Sequence, residues 1–188
     1  MVDLYGRSLD GFVTLVRQVE ARQWDAPTPC ADWTVRKLIN HVVGEDRWTA
    51  PLFGGATIAE VGDRFDGDLL GEDPAGSAAA AADEARAAVG APGALDRTVH
   101  LSFGETPAQE YAYQLLADHL VHGWDLAAAI RADRRLDPAV VEACSEWFVA
   151  REDMYRQAGA IGPAVEVDGA DPQDRLIAAF GRRPDWTP

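Results

Sequence analysis

The chain has 188 residues, 47% of them hydrophobic and 26% charged, a balance that can bury a core without staples and excludes a disordered or fibrous polymer. Its 17 basic and 31 acidic residues leave a net charge of −14, which repels nucleic acid and anionic lipid and sets both aside as partners. No apolar run approaches the ~20 residues needed to span a membrane, and the N-terminal MVDLYGRSLDG is broken by charges where a signal peptide would be apolar, so the expected location is the cytoplasm.

Residues 3–22 carry Leu9, Phe12, Val13, Val16 and Val19, one apolar stripe at helical spacing. PTPCADW interrupts it with two prolines. A second helix is expected after Thr34, running to about Trp48, with Val35, Leu38, Ile39 and Val42 on its apolar face. Pro51 and Gly54-Gly55 close it. Residues 54–73 read as a loop. Asp73-Pro74 is an N-cap followed by proline at the first helical position, and the alanine run 78–88 is a strong helix former.

LDRTVHLSFGE, residues 95–105, alternates enough for a short hairpin but is too short to build a sheet. Thr106-Pro107-Ala108-Gln109 has the capping-box pattern and predicts a helix over about 107–131. Asp137-Pro138 opens another helix, to about Tyr155, and Asp171-Pro172 a last short one that ends at Gly181. The expected architecture is all-α: a four-helix bundle with a short extended hairpin and a helical tail. Residues 1–160 are expected to form the bundle and 161–188 a tail packed on the same domain.

Cys30 and Cys144 are far apart and form no CxxC, so neither a zinc knuckle nor a disulfide scaffold is indicated, and both read as buried or idle thiols. The chain has four histidines. Asp118 and His122 lie four apart on the 107–131 helix, within ~40° of each other on a face shared with Tyr111, Leu115, Asp125 and Leu126. An aspartate on the buried side of a helix is costly unless something pairs with it, and a divalent cation is one solution. His41 sits at the edge of the second helix's apolar stripe and can meet that face across a bundle core. Two imidazoles and one carboxylate with a position left open suit a catalytic metal. Glu45 and Asp125 are candidate acceptors for the imidazole N–H groups.

The residues leave alternatives open. A lone histidine on an apolar face is usually a hydrogen-bonded core residue, and Asp118–His122 also reads as a plain ion pair. His119, rotated ~60° from His122, competes as a ligand. His100 reads as structural or exposed. Trp48, Tyr111 and Trp124 read as packing residues, with Trp48 and Tyr111 also candidate pocket walls. GxSxG, Walker and GxGxxG patterns are missing from the sequence, so hydrolase triads, NTPases and dinucleotide sites have no support.

PTPCADWTVRKLINHVVG (27–44), VHLSFGETPAQEY, ADHLVHGWDLAAA (117–129) and PAVEVDGADPQDRLIAAFGRRP (163–184) together resemble the DinB-like superfamily. The likeness is to its actinobacterial group related to the N-terminal domain of mycothiol-dependent maleylpyruvate isomerase. The resemblance implies a four-helix bundle holding one divalent metal, zinc or nickel. It maps the ligands onto His41, Asp118 and His122, and it disfavours His119. It departs from the isomerase in having aspartate at 118 where that enzyme has glutamate, and in lacking the α/β domain that completes the isomerase site.

The implied activity is that of a thiol S-transferase or isomerase using mycothiol as co-substrate with an electrophilic partner, in which the metal activates the thiol. A non-catalytic binding bundle and a metal-dependent hydrolase are the alternative uses of the same ligands. A homodimer is the assembly the resemblance leaves open.

Overall fold

Helix α1 spans Val2–Val16. It buries Tyr5, Leu9, Phe12, Val13 and Val16, the stripe that the spacing predicts, but it ends six residues earlier than expected. The chain then tightens into a 3-10 turn at Ala21–Gln23, where the Gln23 side chain accepts from the Glu20 N–H at 2.8 Å and donates to the Ile130 carbonyl at 3.0 Å. Those bonds satisfy backbone groups that a continuing helix would have used. The structure, a computed structural model, describes residues 1–167, 169 and 171–188.

Helix α2 spans Val35–Phe53, and the Thr34 hydroxyl accepts from the Lys37 N–H. It continues five residues past Trp48 and through Pro51. Proline this near a helix end removes a single backbone bond, and burial of Leu52 and Phe53 holds the last turn together. The loop expected over 54–73 contains one helical turn, α3, Ile58–Val61. Its signal is a capping box: Thr57 N–H donates to Glu60, and Glu60 N–H donates to the Thr57 hydroxyl. Helix α4, Pro74–Val89, starts as expected with Asp73 accepting from the Gly76 N–H.

Strands β1 (Thr98–Leu101) and β2 (Gly104–Pro107) form an antiparallel hairpin, with Val99 opposite Thr106. This corrects the expected cap at Thr106. That residue belongs to the strand, and α5, Ala108–Ile130, begins with no side-chain cap. The Ala108 N–H instead donates to the Arg97 carbonyl, so the hairpin itself satisfies one of the orphan groups.

Helix α6 covers Pro138–Val149, capped by Asp137. It stops short of Tyr155, and a separate turn α7, Glu152–Gln157, comes next. The break falls at Arg151, whose side chain donates to the Trp147 carbonyl and binds Glu110 of α5 through two nitrogens. Helix α8, Pro172–Ala179, is capped by Asp171.

The molecule is mostly helical with one two-stranded sheet. Helices α1 and α2 each pack on α4 and α5, α6 lies on α5 and α1, and α8 lies on α6. Helix α5 is central: almost every residue from Leu115 to Ile130 is buried. Leu176 and Phe180 of the tail join the same apolar cluster as Leu115, Val141 and Phe148. No helix among the described residues is long and apolar enough to cross a membrane.

Candidate metal centre

Helix α2 buries Leu38 and Val42 completely, and that packing turns His41 toward α5. On α5 the four-residue spacing stacks Asp118 under His122. The two helices then place His41 Nε2 3.2 Å from Asp118 Oδ2, and His122 Nε2 3.4 Å from Asp118 Oδ1. One ligand atom from each of the three lies within 4.8 Å of the other two, the spread expected of donors converging on one small cation. Asp118 Oδ2 is buried, and its contact with His41 Nε2 at 3.2 Å is not aligned as a hydrogen bond. A buried carboxylate oxygen in that state is costly, so the donor set fits a cation better than it fits a closed ion pair.

The ring of His122 is held from its other side. Its Nδ1–H donates to Asp125 Oδ2 at 3.0 Å, the acceptor role expected of Asp125. Asp125 is 0% exposed. It also receives Arg182 from beyond α8, through Nε at 3.2 and 3.3 Å and Nη2 at 2.9 Å. Trp33, in the loop before α2, stacks on His122 with centroids 5.4 Å apart and tilts against His41 at 4.8 Å. Trp33 and Arg182 carry no spacing signal, because each reaches the site from a loop or a tail. Cys30 also comes close: its sulfur groups with His122 and Asp125 within the same 4.8 Å limit. Asp125 is already bonded to Arg182 there, and burial pushes the Cys30 thiol up.

A cavity of about 300 Å³ opens on the three residues, bounded in part by Glu45, Tyr111, Trp147, Phe148, Tyr155 and Phe180. Tyr111 is thus a wall, as expected. Trp48 is not; it packs edge-on against Phe65. Glu45 faces the cavity instead of accepting from His41, and burial with Asp118 beside it raises its carboxyl above the usual range. A larger groove of about 730 Å³ between α6 and α8 shares Phe148 with this cavity but contains none of His41, Asp118 and His122.

His119 points the other way. Its Nδ1–H donates to the Leu115 carbonyl and its Nε2–H to Asp46 Oδ1 at 2.9 Å, and Tyr5 and Phe12 pack edge-on against its ring. Both nitrogens are used, which removes it as a competing ligand. His100 lies in β1, away from the site, bridging to Thr57.

Charge obeys this geometry. Burial opposes an imidazolium at His122, but Asp118 and Asp125 outweigh it and lift the ring to about 9. Burial likewise opposes ionisation of Asp118, yet His122 and His41 hold its carboxyl well below the usual range. Without a metal the centre is a protonated histidine clamped between carboxylates.

The family model described as mycothiol maleylpyruvate isomerase N-terminal domain matches residues 5–127. That span contains His41, Asp118, His122 and Asp125, and it ends before Arg182. Two proteins named as uncharacterized from Mycobacterium tuberculosis, one in strain CDC 1551 and one in strain H37Rv, are each 34% identical over 192 residues, covering 94% of this chain and 94% of the relative. No solved structure gives a significant match.

Proposed function

The chain belongs to the mycothiol maleylpyruvate isomerase N-terminal domain family, and from that premise we propose that it binds one divalent metal, zinc or nickel, through His41, Asp118 and His122. On this reading residues 1–160 form a DinB-type four-helix bundle and 161–188 a tail packed on it. The activity is transfer or isomerisation dependent on mycothiol or a related small thiol, acting on an electrophilic carbon.

The observation that carries the proposal is the convergence of three donor atoms within 4.8 Å beside a cavity, with one carboxylate oxygen buried against His41 without an aligned hydrogen bond. Three protein ligands and an open side are what a catalytic centre uses, where a structural one is closed by four. When bound, the ion would supply the Lewis acidity that makes a thiolate available at neutral pH.

The chain's own residues do the rest. His122 presents Nε2 because Asp125 occupies Nδ1, and Trp33 fixes the ring plane. Tyr111, Trp147, Phe148 and Phe180 exclude water from the cavity. Its volume is at the low end for small-molecule sites, so the reacting end of a thiol and a small electrophile fit while the bulk of a larger thiol stays outside. Glu45 is the carboxylate within the cavity placed to exchange protons with the substrates.

The test is elemental analysis of protein loaded with zinc, nickel or cobalt, then titration of the cobalt form with mycothiol. One equivalent of metal and a sulfur-to-cobalt charge-transfer band are expected, with thiol-dependent turnover lost on chelation. Normal metal content in an Asp118→Ala/His122→Ala double variant would rule the reading out.

A further inference from the structure

We propose that the C-terminal tail is part of the metal centre's support, with Arg182 as a positioning residue acting through Asp125 on His122, so that tail docking and metal affinity are coupled. The inference rests on the metal reading above and goes beyond it, because Arg182 lies outside the residues that the family model matches.

The observations form one connected chain of contacts. His122 donates from Nδ1 to Asp125. Asp125 is fully buried, and its carboxylate takes three contacts from Arg182. The Arg182 guanidinium is anchored in turn by donating from Nη1 to the Phe180 carbonyl, and the Arg182 backbone N–H donates to Ile177. Ile177 is 0% exposed and packs with Trp124 and Ala128 of α5. The tail is therefore locked onto the helix that carries Asp118 and His122, one turn from the ligands.

Charge gives this chain its consequence. A histidine ligates through a bare nitrogen, so His122 must be neutral when it holds a metal. The Asp125 carboxylate, buried and accepting from Nδ1–H, then faces a neutral ring. A buried carboxylate without a countercharge is strongly unfavourable. Among the described residues, the other cation in contact with Asp125 is Arg182. The Arg182 guanidinium holds the Asp125 carboxylate in place, and that carboxylate accepts from Nδ1–H, leaving Nε2 to face the metal. Partners of this kind typically tune metal affinity 10–100-fold. Linkage makes the coupling reciprocal: metal binding must strengthen tail docking by the same factor.

The experiment compares zinc affinity, by competition with a chromophoric chelator, in the full-length protein and in Arg182→Gln and Asp125→Asn, with Arg183→Gln as control. Arg183 is exposed and pairs with Asp185. Arg182→Gln and Asp125→Asn are expected to weaken zinc 10–100-fold, Arg182→Lys to recover part of that, and Arg183→Gln to match wild type. Nitrogen-15 spectra of His122 should show Nδ1–H with Nε2 metallated in wild type and a mixed tautomer in Asp125→Asn.

A second readout needs no variant. Zinc should slow hydrogen exchange of the 176–182 amides in the wild-type chain. Wild-type zinc affinity in folded Arg182→Gln, or tail exchange indifferent to zinc, would overturn the coupling. Failure of the wild-type protein to bind zinc, nickel or cobalt would overturn the metal reading itself.

Discussion

His119 and His122 stand three residues apart on one helix, each beside a carboxylate from another turn or another helix. His119 has both nitrogens donating, to Leu115 and Asp46, and is 1% exposed. His122 has one nitrogen held by Asp125, and the other faces Asp118 at 3.4 Å beside a cavity. The first pair is closed and joins α5 to α2 inside the core. The second is open, with a buried carboxylate oxygen that meets His41 at 3.2 Å without an aligned hydrogen bond. What distinguishes a structural histidine from a candidate ligand here is saturation of its hydrogen bonds, since burial and charge are nearly the same for both.

That comparison breaks if the two sites respond alike, and the largest difference is expected at Asp46. Asp46→Ala leaves the His119 imidazolium unpaired in the core and is expected to cost about 3–5 kcal/mol of stability, read as a lower urea midpoint. Zinc stoichiometry of the folded fraction should stay at one. Next in size is ligand stabilisation. Zinc at a hundredfold its dissociation constant should raise wild-type stability by about 2.7 kcal/mol and do nothing for Asp118→Ala. A zinc-induced shift in that variant would place the metal elsewhere.

The pH dependence sharpens the contrast. His122 is raised to about 9 in the metal-free protein from an unfolded value near 6.5. Its contribution is therefore fully present below about pH 6.5 and lost as pH rises toward 9. Metal-free protein should lose stability across that window. Zinc affinity should climb in the same window, because binding displaces the proton. Flat behaviour of both would contradict the clamped imidazolium.

A smaller effect is expected for Trp33→Leu. Losing the stack on His122 should cost about 0.5–1.5 kcal/mol and loosen zinc modestly by freeing the ring. His100→Gln, away from both sites, should fall within about 0.5 kcal/mol of wild type with unchanged zinc affinity.

Much of the fold was legible in residue pattern. Asp73-Pro74, Asp137-Pro138 and Asp171-Pro172 start helices where their cap chemistry places them, and the alanine run forms α4. The errors have local causes. Thr106 had a competing use as a strand residue, and Pro51 was tolerated because the residues after it are buried. The helix expected to Tyr155 breaks at Arg151, which binds Glu110, about forty residues away, a contact that no periodicity reports. At the candidate site the pattern reached the α5 pair and its Asp125 acceptor, while it left His119 in competition and misassigned Glu45 and Trp48.

By itself the sequence determined the features that near neighbours set: helices from apolar period and caps, Asp118 and His122 on one face, and the acidic character of the chain. The tertiary structure decided the features that depend on groups distant in sequence. It brought His41 across to Asp118, turned His119 into the core toward Asp46, and carried Trp33 and Arg182 in from a loop and a tail. The physical reason is that a helix fixes the angle between its own residues but leaves their partners open. Those partners are set by burying α1, α2, α4 and α5 against each other, and only that packing determines which polar groups are satisfied and which are left to hold something else.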